Sequence, residues 1–183
     1  MHINTFPKKI KIETTEYTLR LMDETDKDRI LILAHNLSES DLSFMRRDIT
    51  QPEIVDEWIR DIVQSRGITV LVEHNDSIVA YGTLYHNQRF WDRHMGEIRL
   101  LVSSQYRNRG LGMTVGRELM LLAKDLNLDK IITYIAADDQ YAKRTIEELQ
   151  FTAEALLADW VKTRDERTHD LLIMSTSLRD RVG

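Results

Sequence analysis

The chain has 183 residues, enough for one domain with a sizeable hydrophobic core. With 42% hydrophobic and 30% charged residues it reads as soluble and globular, and its net charge of -5 argues against a general nucleic-acid-binding surface. Cysteine is absent, which removes disulfides, thiolate metal ligands and thiol nucleophiles. Residues 1–15 mix Lys8, Lys9 and Lys11 with Ile10 and Ile12 and form either a solvated arm or an extra edge strand; residues 16–183 read as a single domain. Tyr17, Leu19 and Leu21 alternate with polar residues, as in a half-buried strand. Asp23 and Asp26 offer caps for a helix through Ile30, Leu33, Ala34 and Leu37. Residues 38–48 are polar, with Leu42, Phe44 and Met45 embedded. Thr50-x-x-Glu53 has the form of a capping box and Pro52 suits a first turn. Ile54, Val55, Trp58, Ile59 and Ile62 give this second helix an apolar face, and Gly67 is expected to end it. Residues 68–73 and 78–86 flank His74-Asn75-Asp76-Ser77, a hairpin signal, and Gly82 is expected to mark a bulge.

A loop over 87–94 carries Phe90 and Trp91, and 97–102 reads as a central strand. The stretch from Leu100 to Gly112 then combines the end of that strand, a basic turn and the start of a helix reaching about Leu126. Leu111, Val115, Leu119, Leu122 and Leu126 fall on one helical face. Arg107 and Arg109 flank backbone N–H groups that a helix cannot satisfy internally, so guanidinium groups, free donors and the positive end of the helix dipole converge on an anion site suited to phosphate or pyrophosphate. Ile131, Ile132, Tyr134 and Ile135 form a buried strand, and Asp138-Asp139 caps a short helix over 140–150. Residues 151–161 and 171–176 read as a terminal hairpin. No run approaches the ~20 apolar residues of a membrane span, and no apolar signal core is evident; the expectation is a cytoplasmic protein without membrane partners.

Two chemistries compete for the turn. Gly110-x-Gly112-x-x-x-Gly116, with Asp138 after the next strand, approximates a dinucleotide-binding turn. That motif belongs after the first strand of an alternating βαβ array, whereas here the order is β-α-α-β-β-β-α-β-α-β-β. Arg107-x-x-Gly110-x-Gly112 resembles the pyrophosphate-binding turn of the GNAT superfamily of acyl-CoA-dependent N-acetyltransferases, and the element order resembles it from about Tyr17 to Thr176. The resemblance implies an α+β fold: a mixed, mostly antiparallel sheet of about seven strands with helices on both faces. A second family motif, Asn-x-x-Ala-x-x-Leu-Tyr-x-x-x-Gly-Phe, is matched at Ala142, Leu149 and Phe151; Asp139 replaces Asn, and Ile146 stands where the family often has the Tyr that protonates the departing thiolate.

What the resemblance implies for function is transfer of an acetyl group from acetyl-CoA, as co-substrate, to a primary amine of a small molecule or peptide, by direct attack. Arg107, Asn108, Arg109, Gly110, Leu111 and Gly112 would hold the pyrophosphate, while Leu100, Leu101 and Val102 would meet pantetheine through their backbone and Asp139 would cap the neighbouring helix. Glu97 is the candidate base, although it lies one residue off the expected position and needs a bulge to reach it; Arg99, on the same face, is its candidate partner. Tyr141 is the substitute acid, and a strand N–H near Val102 would serve the oxyanion. His86, His94 and His169 are further candidate bases. Phe90, Trp91, Leu42, Phe44 and Met45 would shape the acceptor mouth, which Glu97, Asp138 and Asp139 would make acidic and suited to a cationic amine. No metal site is expected, nor a nucleic-acid partner; the oligomeric state stays open, a homodimer through the terminal hairpin being an arrangement common in such folds. The alternative is a non-catalytic GNAT module that binds acyl-CoA as sensor or scaffold.

Overall fold

Alternating apolar residues register into one eight-stranded sheet in the computed structural model, which describes residues 1–179. The strands are β1 (Lys8–Ile12), β2 (Thr15–Leu21), β3 (Gly67–His74), β4 (Ser77–His86), β5 (Met95–Val102), β6 (Lys130–Ala136), β7 (Thr152–Lys162) and β8 (Thr168–Ser177). Their spatial order is β1-β2-β3-β4-β5-β6-β8-β7, with β5 and β6 parallel and every other neighbouring pair antiparallel. The eighth strand is β1: the N-terminal segment is an edge strand, paired with β2 from Lys8–Leu19 to Ile12–Thr15.

Helices cover both faces. On one lie α1 (Lys27–Asn36), the short α2 (Glu39–Ser43) and α3 (Pro52–Val63), packed through Ile30, Leu33, Val55 and Trp58 onto Leu71, Tyr81 and Leu101. On the other lie α4 (Leu111–Asp125) and α5 (Gln140–Glu148), packed through Leu111, Val115, Leu119 and Ile146 onto Val70, Leu84, Ile98 and Val102. Successive residues of a strand point to opposite faces. The side chains of Glu97, Arg99 and Leu101 therefore project toward α1–α3, and those of Ile98, Leu100 and Val102 toward α4.

Several local expectations resolve differently. Thr50 bonds to Asp48 through its amide and hydroxyl and does not cap α3, which begins at Pro52 behind Gln51 with no side-chain cap. The capping box forms instead at α2, where the Ser38 side chain accepts from the Asp41 amide and the Asp41 carboxylate from the Ser38 amide. Helix α3 ends at Val63, Ser65 takes the left-handed conformation (φ 55°), and Gly67 already belongs to β3. The hairpin turn at Asn75 and Asp76 has positive φ at both residues, the geometry that matches strand twist.

No bulge occurs at Gly82; the irregularity of this hairpin lies at Val72/Glu73. Gly82 is glycine because α4 crosses over it: a Cβ there would collide with Val115 and stand 2.8 Å from Leu100 and 2.9 Å from Leu119. Gly82→Ala is expected to destabilise the protein by about 1–3 kcal/mol through overpacking, read as a lowered midpoint in urea unfolding.

Candidate functional site

Parallel pairing of β5 and β6 runs only from Met95–Lys130 through Gly96–Ile131 to Glu97–Ile132. One residue on, the buried Thr133 hydroxyl donates to the Ile98 carbonyl at 2.9 Å and closes the fork. Beyond it each strand keeps its outer partner, β5 pairing with β4 as far as Val102 and β6 with β8 as far as Ala136. Among the described residues, the facing edges over 99–102 and 134–136 run without a strand partner. Interior peptide groups need hydrogen-bond partners, and an extended ligand bearing amides can supply them as an added strand. The groove so formed is lined on β5 by Arg99, Leu100, Leu101 and Val102 and on β6 by Thr133, Tyr134, Ile135 and Ala136.

The groove opens at one end onto the turn before α4. Asn108 and Gly110 adopt left-handed conformations, φ 59° and 78°, and a Cβ at Gly110 would meet nothing within 4 Å, so its backbone conformation, not space, requires glycine. Gly110 stands at the N-cap of α4 without a side-chain cap, leaving the amides of the first turn unsatisfied. Leu111 is buried beneath them, and Gly112 lets α5 approach, since a Cβ would lie 2.9 Å from Thr145.

The two arginines of the turn have different jobs. Arg109 is exposed, donates to the Gln105 carbonyl at 3.0 Å and lies 5.2 Å from the Tyr106 ring. Arg107 is committed elsewhere: it donates to Asp41 at 2.6 Å and to the Val102 carbonyl at 3.2 Å. The Asp41 side chain is wholly buried and also accepts from Ser38 and from the Ser104 amide. A buried carboxylate requires such partners, so Arg107 ties the turn to α2 as well as lining the groove.

On α5, Asp139 accepts from the Ala142 amide at 3.0 Å and caps the helix, and Ile146 is buried. Tyr141 lies 4.9 Å beneath the Arg107 guanidinium, with its hydroxyl against Gly112. Burial pushes its phenol above the usual range and keeps it protonated. Through Arg107 it belongs to the Val102 end of β5, four strand residues or roughly 13 Å from Ile98 at the fork.

Glu97 stands at the last β5–β6 pair. Its Oε1 accepts from Arg99 Nε at 2.6 Å and from Arg46, and among the described residues Oε2 accepts no hydrogen bond. The pairing of β4 with β5 is unbroken from Ala80–Val102 to His86–Gly96, so the bulge that would have moved Glu97 by one residue is absent. Arg46 and Arg99 line the groove, while Glu97, which they hold, does not.

The acidic mouth expected from the sequence does not form. Asp139 is spent as a helix cap, Asp138 meets His169 at 2.6 Å, and Glu97 lies between two arginines. Of the histidines, His169 also lies 3.3 Å from the Thr163 hydroxyl, His94 is exposed, and His86 has its pKa lowered by burial; none lines the groove. Phe44 and Met45 line the groove, whereas Leu42 joins the core and Phe90 and Trp91 are exposed away from it. Arg46, Arg47, Tyr85 and Tyr134 are groove residues that sequence reading did not single out. The alternation of Tyr81, Thr83 and Tyr85 opposite Leu101, Arg99 and Glu97 was a signal for Tyr85.

The model of the acetyltransferase (GNAT) family matches residues 33–151, more than half of the chain. The chain belongs to the GNAT acetyltransferase family. No curated protein sequence matches it significantly. Solved structures share its fold at low identity. A ribosomal-protein-alanine N-acetyltransferase from Brucella melitensis superposes with TM-score 0.74 at 21% identity, over 87% of this chain and 98% of its own. The yncA protein of Salmonella typhimurium, solved with its cofactor acetyl-CoA, gives TM-score 0.72 at 18% identity over 91% and 96%. Spermidine N-acetyltransferase from Vibrio cholerae, in complex with CoA and spermine, gives 0.73 at 19% over 88% and 95%. In this GNAT domain Ile146 packs into the core. Among the described residues no His, Cys, Asp and Glu cluster could hold a metal ion, and no helix is long and apolar enough to cross a membrane.

Proposed function

We propose that the protein transfers an acetyl group from acetyl-CoA to a primary amine. The reading is carried by one observation: β5 and β6 part at Glu97–Ile132, and the gap between them leads to the uncapped amides of α4. Polar edges along an apolar groove suit pantetheine, and unsatisfied donors at a helix N-terminus suit a pyrophosphate. Acetyl-CoA supplies the activated acyl group when bound. Leu100 and Val102 offer their main chain to the arm, whereas Leu101, expected beside them, turns its main chain to β4, as Ser103 does in donating to the Val79 carbonyl at 3.1 Å. Asn108, Arg109 and the amides from Gly110 to Gly112 face the pyrophosphate, with Arg107 fixed beside them by Asp41.

A protonated amine has no lone pair, so a base must take its proton. Glu97 is that base, acting from the fork through a water on Oε2. The oxyanion that develops at the carbonyl is met by a β5 main-chain N–H past the fork. A thiolate with a pKa near ~8.5 by analogy with cysteine is a competent leaving group without an enzymic acid; this matters because Ile146 cannot donate a proton and Tyr141 sits by the turn. Accordingly Tyr141→Phe is expected to change kcat less than about threefold, against the 10²–10⁴-fold of a true general acid.

The second reading, acyl-CoA binding without turnover, is favoured by Ile146 alone. Calorimetric titration with acetyl-CoA, followed by CoA release with a panel of amines, separates the two. Wild type is expected to bind in the micromolar range and to release CoA. Arg109→Ala is expected to weaken binding by about 1.5–3 kcal/mol, the worth of one charged hydrogen bond. No binding by folded wild type ends both readings; binding without release on any amine leaves the second.

A further inference from the structure

We propose that the acceptor carries a carboxylate as well as its amine, and that Arg46, Arg47 and Arg99 read it. This rests on the acetyl-transfer reading and names the substrate class of the same site. The observation is an excess of guanidinium groups where the groove meets the α1–α3 face. Arg46 lies 4.7 Å from the Tyr134 ring, while Arg47 and Arg99 lie 5.3 Å and 4.6 Å from the Tyr85 ring. All three arginines line the groove.

Their counterions fall short. Glu97 serves both Arg46 and Arg99. Asp61 serves both Arg47 and Arg66, each at 2.9 Å. Four guanidiniums thus share two carboxylates. The next carboxylate outward, Glu57, is exposed and sits 4.0 Å from an arginine of its own, Arg60. Burial pushes the Tyr85 phenol up against the opposing pull of Arg47 and Arg99, so it stays a neutral donor and adds no negative charge.

Hydrogen-bond satisfaction falls short as well. Nη1 of Arg47 is buried with no partner. Arg99 reaches Glu97 through Nε, and among the described residues its terminal nitrogens find no acceptor. An unmet buried donor is costly, and a planar guanidinium matches a carboxylate through two parallel hydrogen bonds. A ligand carboxylate placed here offers an acceptor to guanidinium nitrogens that lack one and offsets the charge. A polyamine would bring like charge to the same place. The same lining carries the apolar and aromatic side chains of Phe44, Met45, Trp58 and Tyr81. The acceptor class is therefore an amino acid with an apolar or aromatic side chain.

The test is the initial rate of CoA release at saturating acetyl-CoA. The acceptors are L-leucine, L-methionine and L-phenylalanine, each beside its amide and its decarboxylated amine, with spermidine as the cationic arm. At least one free acid is expected to exceed its amide and its amine by tenfold or more in kcat/KM. The amide's amine loses its proton more readily, so this preference runs against intrinsic reactivity. Arg46→Gln, at an exposed position, is expected to narrow the acid-to-amide ratio by about tenfold. Equal or better use of the amides or of spermidine overturns the inference. So does failure of every free acid in a protein that binds acetyl-CoA by calorimetry. Absence of acetyl-CoA binding instead overturns the transfer reading beneath it, and this inference with it. Should Arg46→Gln not fold, the wild-type ratios decide.

Discussion

Arg107→Ala is expected to destabilise the ligand-free protein by about 3 kcal/mol, the lower end of what breaking a buried ion pair costs. The Asp41 side chain is wholly buried, and Arg107 is its charged partner at 2.6 Å. With Arg107 gone, the carboxylate keeps only the neutral donors of Ser38 and the Ser104 amide. Those donors hold the loss at the lower end of the range. For a chain of this size the change lowers Tm by roughly 6–12 °C. Arg109→Ala is the control, because Arg109 is exposed and its contacts, the Gln105 carbonyl and the Tyr106 ring, lie in its own turn. It is expected to move stability by less than about 0.5 kcal/mol while weakening acetyl-CoA binding. Arg107→Lys rescues only part of the loss, since one ammonium cannot reproduce the planar span from Asp41 to the Val102 carbonyl. Thermal melts of the three variants without ligand decide the matter. Equal melts for Arg107→Ala and Arg109→Ala would mean that both residues act only on ligand.

These two arginines also mark what can be read from a sequence. The turn was legible because its parts are local: the glycines, the arginines and the helix start lie within a dozen residues. Alternation over β5 likewise paired Glu97 with Arg99, which meet at 2.6 Å. The role of Arg107 was not legible, because its partner is 66 residues away. The arginines at 46 and 47 sit in a polar segment with no periodicity of its own. Where that segment lands is set by the packing of α1 and α3 on the sheet, and Arg46 meets Glu97 across 51 residues. The acidic mouth fails for a related reason: position along the chain does not reveal that Asp139 is used as a helix cap and Asp138 as a histidine partner. Local competition also took Thr50 from the cap of α3, because its hydroxyl bonds Asp48 at 2.5 Å; the capping box at Ser38 and Asp41 forms independently of it.

Glu97→Gln is expected to lower kcat by about 10²–10³-fold, within the range for loss of a general base, with KM for acetyl-CoA unchanged. Glutamine keeps the shape and can still accept from Arg46 and Arg99 through its oxygen, but it takes up no proton at neutral pH. The deficit shrinks as pH rises, because a growing fraction of the amine arrives already deprotonated and needs no base. Alkaline rescue separates a lost base from a distorted fork, which would stay slow at every pH. The substitution has a second consequence through the groove. Glu97 is the carboxylate held between Arg46 and Arg99, so its neutralisation leaves those guanidiniums with one negative charge fewer. A carboxylate-bearing acceptor then binds more tightly while reacting more slowly: KM for the amino acid falls together with kcat. An amine acceptor that lacks a carboxylate does not show the first effect. Measured side by side, the free acid and its amide therefore separate the proton-transfer role of Glu97 from its role as counterion. Wild-type kcat with a lowered acid KM would leave Glu97 as counterion only.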